Sequence, residues 1–349
     1  MKHIKNIYFK AILFSLADIA IIWSGIVFYR FLPYYQAFLK PATQQILLLL
    51  GVIYLFTSFP VQLYRIQNGQ DSKATLLIEG LKHLIIYITY RIRRLFPKQL
   101  TEVTPISQKE KTVILFYLVK FFYIPLMIDF ACWNAIYLKN FIPYIPSPLN
   151  TYDVMLYFNN YIYPVVFSGV FFLNSAIYAF GYMFEAEFLK NKVRSVDSTM
   201  FGWVVCIICY PPFSFWYAQV FPSYANEMTF FINTGITFIV RLIICLILFY
   251  MLYSVIVLGT KCSNLVNRGI VTTGPYKLIR HPHYITKNVV WWITGMPVFI
   301  HKPIGIFFLA VWSFTYYLRS ITEEHHLMKD PEYRIYCQKV KHRFIPFLI

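Results

Sequence analysis

The residues from Gly274 to Tyr284 read Gly-Pro-Tyr-Lys-Leu-Ile-Arg-His-Pro-His-Tyr, a dense polar knot between two apolar runs. Arg280 offers a planar fork of donors suited to a carboxylate or phosphate. Gly274-Pro275 marks the turn into the knot. Pro282 suits the first turn of a helix, where its missing N–H costs nothing. A helix is therefore predicted to start near His281, with its free amides available to an anion. A second polar group, Arg319, Glu323, Glu324 and His325, follows another apolar run. Arg319 and Glu323 are four residues apart and so share one helix face. Glu323 and Glu324 offer acceptors suited to ribose hydroxyls or an ammonium group. Either cluster alone reads as an ordinary charged helix end. Two of them at matching depth read as one site at a membrane–water boundary.

The elements that position these clusters follow from composition. The 349 residues are 58% hydrophobic, 20% aromatic and 13% charged, whereas soluble domains carry about 25% charged residues. One all-α, polytopic membrane body is expected, with little chain left for a soluble domain. The net charge of +17 does not point to nucleic acid, because the basic residues cluster between apolar spans and no nucleic-acid-binding motif is present. Cys206 and Cys209, spaced as CxxC inside an apolar run, read as buried inert thiols rather than a metal or redox pair. No metal site and no disulfide framework are expected. Lys2, Lys5 and Lys10 precede an uncleaved first helix, since no small-residue cleavage site follows.

Runs long enough to cross a bilayer need about 20 residues. Six are read at Ile7–Tyr29, Gln45–Tyr64, Val113–Leu138, Val154–Phe184, Thr199–Val220 and Thr229–Gly259. Two shorter runs, Asn288–Ile300 and Pro303–Leu318, are separated by His301-Lys302-Pro303 and read as a helical hairpin. That makes eight spans, within a range of seven to nine. Placing both termini inside leaves only Arg30, Lys40, Lys139 and Lys302 in outside segments, as the bias of basic residues to the cytoplasm requires. Both polar clusters then face the cytoplasm. Residues 65–112 form the longest polar connection, and Leu76–Leu95 within it suits an amphipathic helix on the membrane surface, with a soluble helical hairpin as the plainer reading. Asp18, Lys120, Asp129 and Arg241 lie inside spans, where charges are costly and are paired or functional. Arg241 is expected to pair with Asp129 or Asp18 from another helix; a proton or substrate path is the functional alternative.

Taken in order, Gly274-x-Tyr276, Arg280-His281-Pro282-x-Tyr284, Arg319, Glu323-Glu324, Tyr333-x-x-Tyr336 and Ile345-Pro346-Phe347 resemble the isoprenylcysteine carboxyl methyltransferase family. The broader phospholipid methyltransferase group shares much of the pattern. The resemblance covers about the last 90 residues, and Arg194-Ser195-Val196-Asp197, Gly202-Trp203 and Tyr210-Pro211-Pro212 look like a stretch of bacterial members. It implies an integral membrane methyltransferase with S-adenosylmethionine as donor, held in a cytoplasm-facing pocket built by the last three helices and the tail. By that resemblance Gly274, Tyr276, Arg280, His281, Pro282, Tyr284 and Glu324 would bind the cofactor. Arg319 would position an acceptor carboxylate, with Glu323 beside it at the catalytic centre. One departure is Thr286, where family members usually carry glycine.

The chain is accordingly divided into an N-terminal membrane region, residues 1–185, that shapes acceptor choice or oligomer contacts, and a methyltransferase-like region, residues 186–349, with its motif core at 259–349. The expected partners are the bilayer, the inner membrane in a bacterium, and a lipidic or prenylated methyl acceptor. A carboxylate acceptor needs no general base, whereas an amine or hydroxyl would need Glu323, Glu324 or His325 to take a proton. The tail Lys329–Ile349 reads as a cap on the pocket or as a strip attracted to anionic lipid. Two other readings compete: an NADPH-dependent enzyme of sterol-reductase type, which shares a His-Pro-x-Tyr-like element, and a non-enzymatic transporter. The transporter predicts inverted repeats or broken midplane helices, and the sequence has none.

Overall fold

A computed structural model describes residues 2–70, 72–93, 103–148 and 153–346. Arg94 and Leu95, the end of the expected surface helix, lie outside the described residues, as does Phe347 of the Ile345-Pro346-Phe347 element. The chain is all-α apart from two short strands, and it forms two compact units, Met1–Asp129 and Phe130–Ile349.

The first unit holds α1 (Lys2–Phe31), α2 (Pro33–Phe38), α3 (Pro41–Gln67), α4 (Lys73–Arg93) and the start of α5 (Gln108–Phe141). Pro33 and Pro41 open their helices, where a missing N–H is harmless. α1 packs along α3 and against α4. The two acidic residues expected inside spans both bind groups on α3. Asp18 accepts from Tyr54 Oη at 2.9 Å and from Gln62 Nε2, with Arg65 at 4.0 Å. Asp129 accepts from Lys40 N at 2.9 Å and Thr43 Oγ1 at 2.7 Å, supplying from another helix the cap that the start of α3 lacks. α4 begins with buried Ala74, Leu77 and Gly80. Farther along, it exposes Ile85, Ile88 and Ile92 beside Lys82 and Arg91.

The second unit continues α5 and adds α6 (Val154–Tyr157), which passes through one π turn (Phe158–Ile162) into α7 (Tyr163–Met183). Then come β1 (Ser195–Val196), α8 (Met200–Ile207), α9 (Phe213–Val220), α10 (Thr234–Leu258), β2 (Val266–Asn267), α11 (Pro282–His301), α12 (Ile304–Leu327) and α13 (Pro331–Lys339). Tyr163 and Val170 of α7 meet Ile244, Leu248 and Met251 of α10 in a buried core that Val290 of α11 joins.

Among the described residues, six helices are long and apolar enough to cross a membrane: Asn6–Phe31, Pro41–Gln67, Gln108–Tyr144, Val154–Met183, Thr234–Lys261 and Ile304–Leu327. Two of the eight expected spans differ. Thr199–Val220 is not one helix but α8 and α9, each eight residues and so about 12 Å long. The break falls at Tyr210-Pro211-Pro212, where two successive prolines remove the amides a helix needs. α11 is 20 residues long, but Lys287 and Asn288 make it too polar to count with the six. The α11–α12 hairpin turns at Lys302-Pro303, as the sequence predicts.

Arg241 corrects a sequence expectation. It pairs with neither Asp18 nor Asp129. Its guanidinium donates to the main-chain carbonyls of Asn159, Met228 and Thr229 and lies between the rings of Tyr163 and Phe230, each 4.5 Å away. Asn159 belongs to the π turn, whose irregular bonding leaves carbonyls for a side chain to fill.

Candidate active site

The turn at Gly274 sets the site's geometry. Gly274 has φ +58°, and a Cβ there would meet Val257 Cγ2 at 2.9 Å and Tyr253 Oη at 3.2 Å. Only glycine fits both the backbone and the space. The turn carries Tyr276 inward as a short 3₁₀ helix, Gly274–Lys277. α11 then starts at Pro282 with His281 as the preceding residue, as expected. Just before the helix the tail takes two amides: Arg280 N donates to His342 O and His281 N to Arg343 O, each at 3.0 Å, so the tail is strapped across the knot.

The twin glutamates take different places. Glu324 is 5% exposed and faces two arginines and a histidine. Its Oε1 lies 2.9 Å from Arg280 Nε and 3.0 Å from His281 Nε2, and Arg343 Nη2 reaches Oε2 at 2.7 Å. One carboxylate therefore joins the knot, α12 and the tail. Glu323 is 39% exposed at its side chain and accepts from Tyr284 Oη at 2.7 Å.

Arg319 is 5% exposed. It donates to Asn264 Oδ1 and, at 3.4 Å, to Tyr210 Oη. The rings of Tyr284, Tyr210 and Tyr316 stand 5.0, 5.4 and 5.7 Å from its guanidinium carbon. No carboxylate lies within ion-pair distance of it among the described residues. A buried cation without a counter-ion is expensive, and this one opens onto a cavity.

That cavity measures about 1080 Å³ counted out to the solvent. Tyr276, Arg280, His281, Pro282, Tyr284, Arg319 and Glu323 all line it. Of the residues singled out in the sequence, Gly274 and Glu324 do not; they shape and clamp its wall. His325 is exposed, while its neighbour His326 is buried and lines the cavity. The tail contributes Tyr333 and Tyr336 to the wall, and Phe344 packs 5.8 Å from the His281 ring. Burial raises the phenols of Tyr276 and Tyr284 well above their ordinary range, so both remain neutral donors. Burial, then the charges of Lys287 and Arg319, pushes His283 down to about 3.

The sequence pointed to Arg194–Asp197 and Gly202 only through the family resemblance and gave them no role; Asp197 and Gly202 line the cavity. β1 and β2 pair antiparallel, Ser195 opposite Asn267 and Val196 opposite Val266. Asp330 locks this ladder to the tail: its Oδ2 accepts from Arg194 Nη1 at 2.9 Å and Asn267 Nδ2 at 2.8 Å, while its Oδ1 caps α13 through Glu332 N. Burial raises the Asp330 carboxyl, but the bonds from Asn267 and Arg194 outweigh that and hold it below its ordinary value. Asp197 and Asn264 line the cavity from the two arms of the ladder. Gly202 is required beside them because a Cβ there would collide with the Asp197 carboxylate. The available signal was the Asp197–Gly202 spacing; Asn264 carried none.

Residues 241–329 match the model of the isoprenylcysteine carboxyl methyltransferase (ICMT) family. No curated protein and no solved structure matches the chain. The matched segment runs from α10 to the end of α12 and contains the knot, Arg319 and both glutamates. Together with the six apolar helices, this supports an integral membrane protein whose residues 241–329 are similar to that family.

Proposed function

We propose that the cavity binds S-adenosylmethionine and that the protein methylates the carboxylate of a lipid-like acceptor, of isoprenylcysteine kind, at the cytoplasmic edge of the membrane. The observation that carries this reading is Arg319, a buried arginine that lines the cavity and has no carboxylate within ion-pair distance among the described residues. Such a charge calls for an ionised acid and repels an ammonium group, so a carboxylate acceptor fits and an amine does not. The donor is assigned to other lining residues. The ring of Tyr276 offers a π face to a sulfonium, and Glu323 offers an acceptor to an ammonium group.

Bound there, S-adenosylmethionine would supply an activated methyl carbon to an acceptor oxygen, with the carbon–sulfur electron pair left on the sulfur. The protein need only align the two partners and exclude water. Arg319 orients the acceptor oxygen, and its aromatic surround keeps that charge interaction strong. Asn264 and Tyr210 fix the guanidinium in place. Glu324 holds Arg280, His281 and Arg343 together, so the tail closes the donor side. No residue must remove a proton, consistent with His325 facing away from the cavity.

Purified protein incubated with labelled donor and N-acetyl-S-farnesylcysteine should yield the methyl ester, identified by mass, and Arg319→Met should abolish it. Heat protection by NADPH and none by S-adenosylmethionine would overturn the reading.

A further inference from the structure

The first unit holds a polar junction far from the cavity in sequence. Ala74, Leu77 and Gly80 are buried at every third position of α4, and His83 continues that row. Beyond it the helix opens out, and Ile85, Ile86, Ile88 and Ile92 are all exposed. The docking of α4 on α5 is close: a Cβ on Gly80 would meet Ile114 Cδ1 at 3.3 Å and Glu110 Cβ at 3.4 Å. His83, three residues further along the same face, is thereby brought to Glu110. Among the described residues its hydrogen bonds are the last that an α4 side chain makes to another element.

Both nitrogens of the His83 ring face acceptors. Nδ1 lies 3.1 and 3.2 Å from the two carboxylate oxygens of Glu110, and Nε2 lies 3.0 Å from Thr104 O. A neutral imidazole has one N–H and can satisfy one of these partners; the imidazolium satisfies both. Glu110 is itself committed as an acceptor. Its Oε2 accepts from Ser107 N at 2.8 Å and from Ser107 Oγ at 2.6 Å, while Glu110 N donates to Ser107 Oγ at 3.2 Å. This is the reciprocal cap of a helix start, so one carboxylate joins the cap of α5 to α4. Removing the proton from His83 would set a ring lone pair against a carbonyl or a carboxylate. The hydrogen bonds to Glu110, then to Thr104, with the Glu110 charge, outweigh desolvation and hold the imidazole above its ordinary value of 6.5. The other charged side chains of this junction are Glu79 and Lys82 on α4, Lys109 and Lys111 on α5, and Lys10 on α1, which packs against α4. None of them contributes to the shift.

We propose that His83 and Glu110 form a pH-sensitive clip: the imidazolium fastens α4 to the start of α5, and loss of its proton releases the distal half of α4, residues 84–93. The folded value is raised, so the clip is complete below about pH 6.5 and is lost as pH rises through the higher value of the folded histidine. The device lies wholly in the first unit and uses no residue of the cavity, so it stands or falls independently of methyl transfer.

Hydrogen–deuterium exchange of the full-length protein in detergent tests it. Exchange is read by mass on peptides from residues 81–93 and corrected for the intrinsic rate at each pH. In wild type the protection of these amides should fall at least about tenfold between pH 6 and pH 9, while peptides of α3 keep theirs within about twofold. His83→Lys stays charged to about pH 10 and should hold its protection through pH 9. His83→Gln has no proton to lose and should show the same protection at both pH values. Melting temperature reports folding of the variants. Wild-type protection that stays flat from pH 6 to pH 9 overturns the inference. So does an equal fall in His83→Gln, because a general loosening of the helix would not need the imidazole. If His83→Gln does not fold, wild type and His83→Lys decide, and an equal fall in both overturns the inference.

Discussion

Of the three almost fully buried arginines in the C-terminal unit, Arg241 and Arg319 are buried for different reasons. Arg241 is 2% exposed and spends its fork on main-chain carbonyls at Asn159, Met228 and Thr229. Arg319 is 5% exposed and is held by two side chains, Asn264 and Tyr210, at the edge of a cavity. A charge inside a membrane protein is therefore not by itself a functional mark. What separates the two is where the donors end. Carbonyls of a π turn are fixed partners that complete a fold. An asparagine and a tyrosine hold a guanidinium in position and leave its charge uncompensated for a ligand.

The largest effect should break that comparison if it is mistaken. Arg319→Met should lower methyl transfer by at least about 10³-fold, the scale for removing a charge that acts on the reacting group, and leave the melting temperature within about 3 °C. Arg241→Met should do the reverse. Leaving two or three buried carbonyls without donors costs about 3 kcal/mol, read as a lower melting temperature and yield, with activity per folded molecule kept within about twofold. Catalytic loss in the second variant and unfolding in the first would dissolve the distinction.

The twin glutamates repeat the contrast over adjacent positions. Glu324→Gln removes the charge that Arg280, His281 and Arg343 share, and leaves them facing one another. We expect a stability loss of about 3 kcal/mol, cleavage of the tail by added protease, and donor affinity reduced about a hundredfold. Glu323→Gln touches an exposed carboxylate and should cost less than about 0.5 kcal/mol of stability, while weakening donor binding about tenfold. Calorimetry of donor binding with both variants checks the order.

Asp330 offers a smaller, pH-dependent test. Its folded carboxyl sits below the ordinary value of 3.8, so its contribution is fully present above that value and is lost as pH falls beneath it. The Asp330→Asn variant should be about 1 kcal/mol less stable than wild type at pH 7, and the two should converge under acid. A gap that stays constant down to pH 2 would show that Asp330 acts as a cap for α13 and not as the counter-ion of Arg194.

Much of the site was legible in the sequence because its parts are clustered there. The knot, Arg319 and the glutamates were expected at one site because two polar clusters end apolar runs at matching depth; most of the knot, Arg319 and Glu323 line one cavity, and Glu324 does not. The separate jobs of Glu323 and Glu324 were not, since neighbours on a helix point about 100° apart and only packing says which faces inward. Arg241 was misread because its partners are carbonyls, which every residue has and none advertises. Asn264 was silent for a related reason: it acts through Arg319 and Tyr210, distant in sequence. The division of Thr199–Val220 was available in Pro211-Pro212, and apolar composition outweighed it.

Thr286 gives the smallest and sharpest form of the same distinction. The family resemblance makes glycine the usual residue there, which raises the question of whether threonine reshapes the site. Its hydroxyl donates to Pro282 O at 2.9 Å, one turn back on its own helix, and the side chain is 7% exposed. Its bond is internal, like those of Arg241, so it belongs with the fold rather than the chemistry. Thr286→Gly removes that bond and adds backbone freedom in α11, for a loss of about 1 kcal/mol. Donor affinity and methyl transfer should stay within about twofold. A gain of fivefold or more in donor affinity would place Thr286 with Arg319 instead, as a residue whose side chain limits what the cavity can hold.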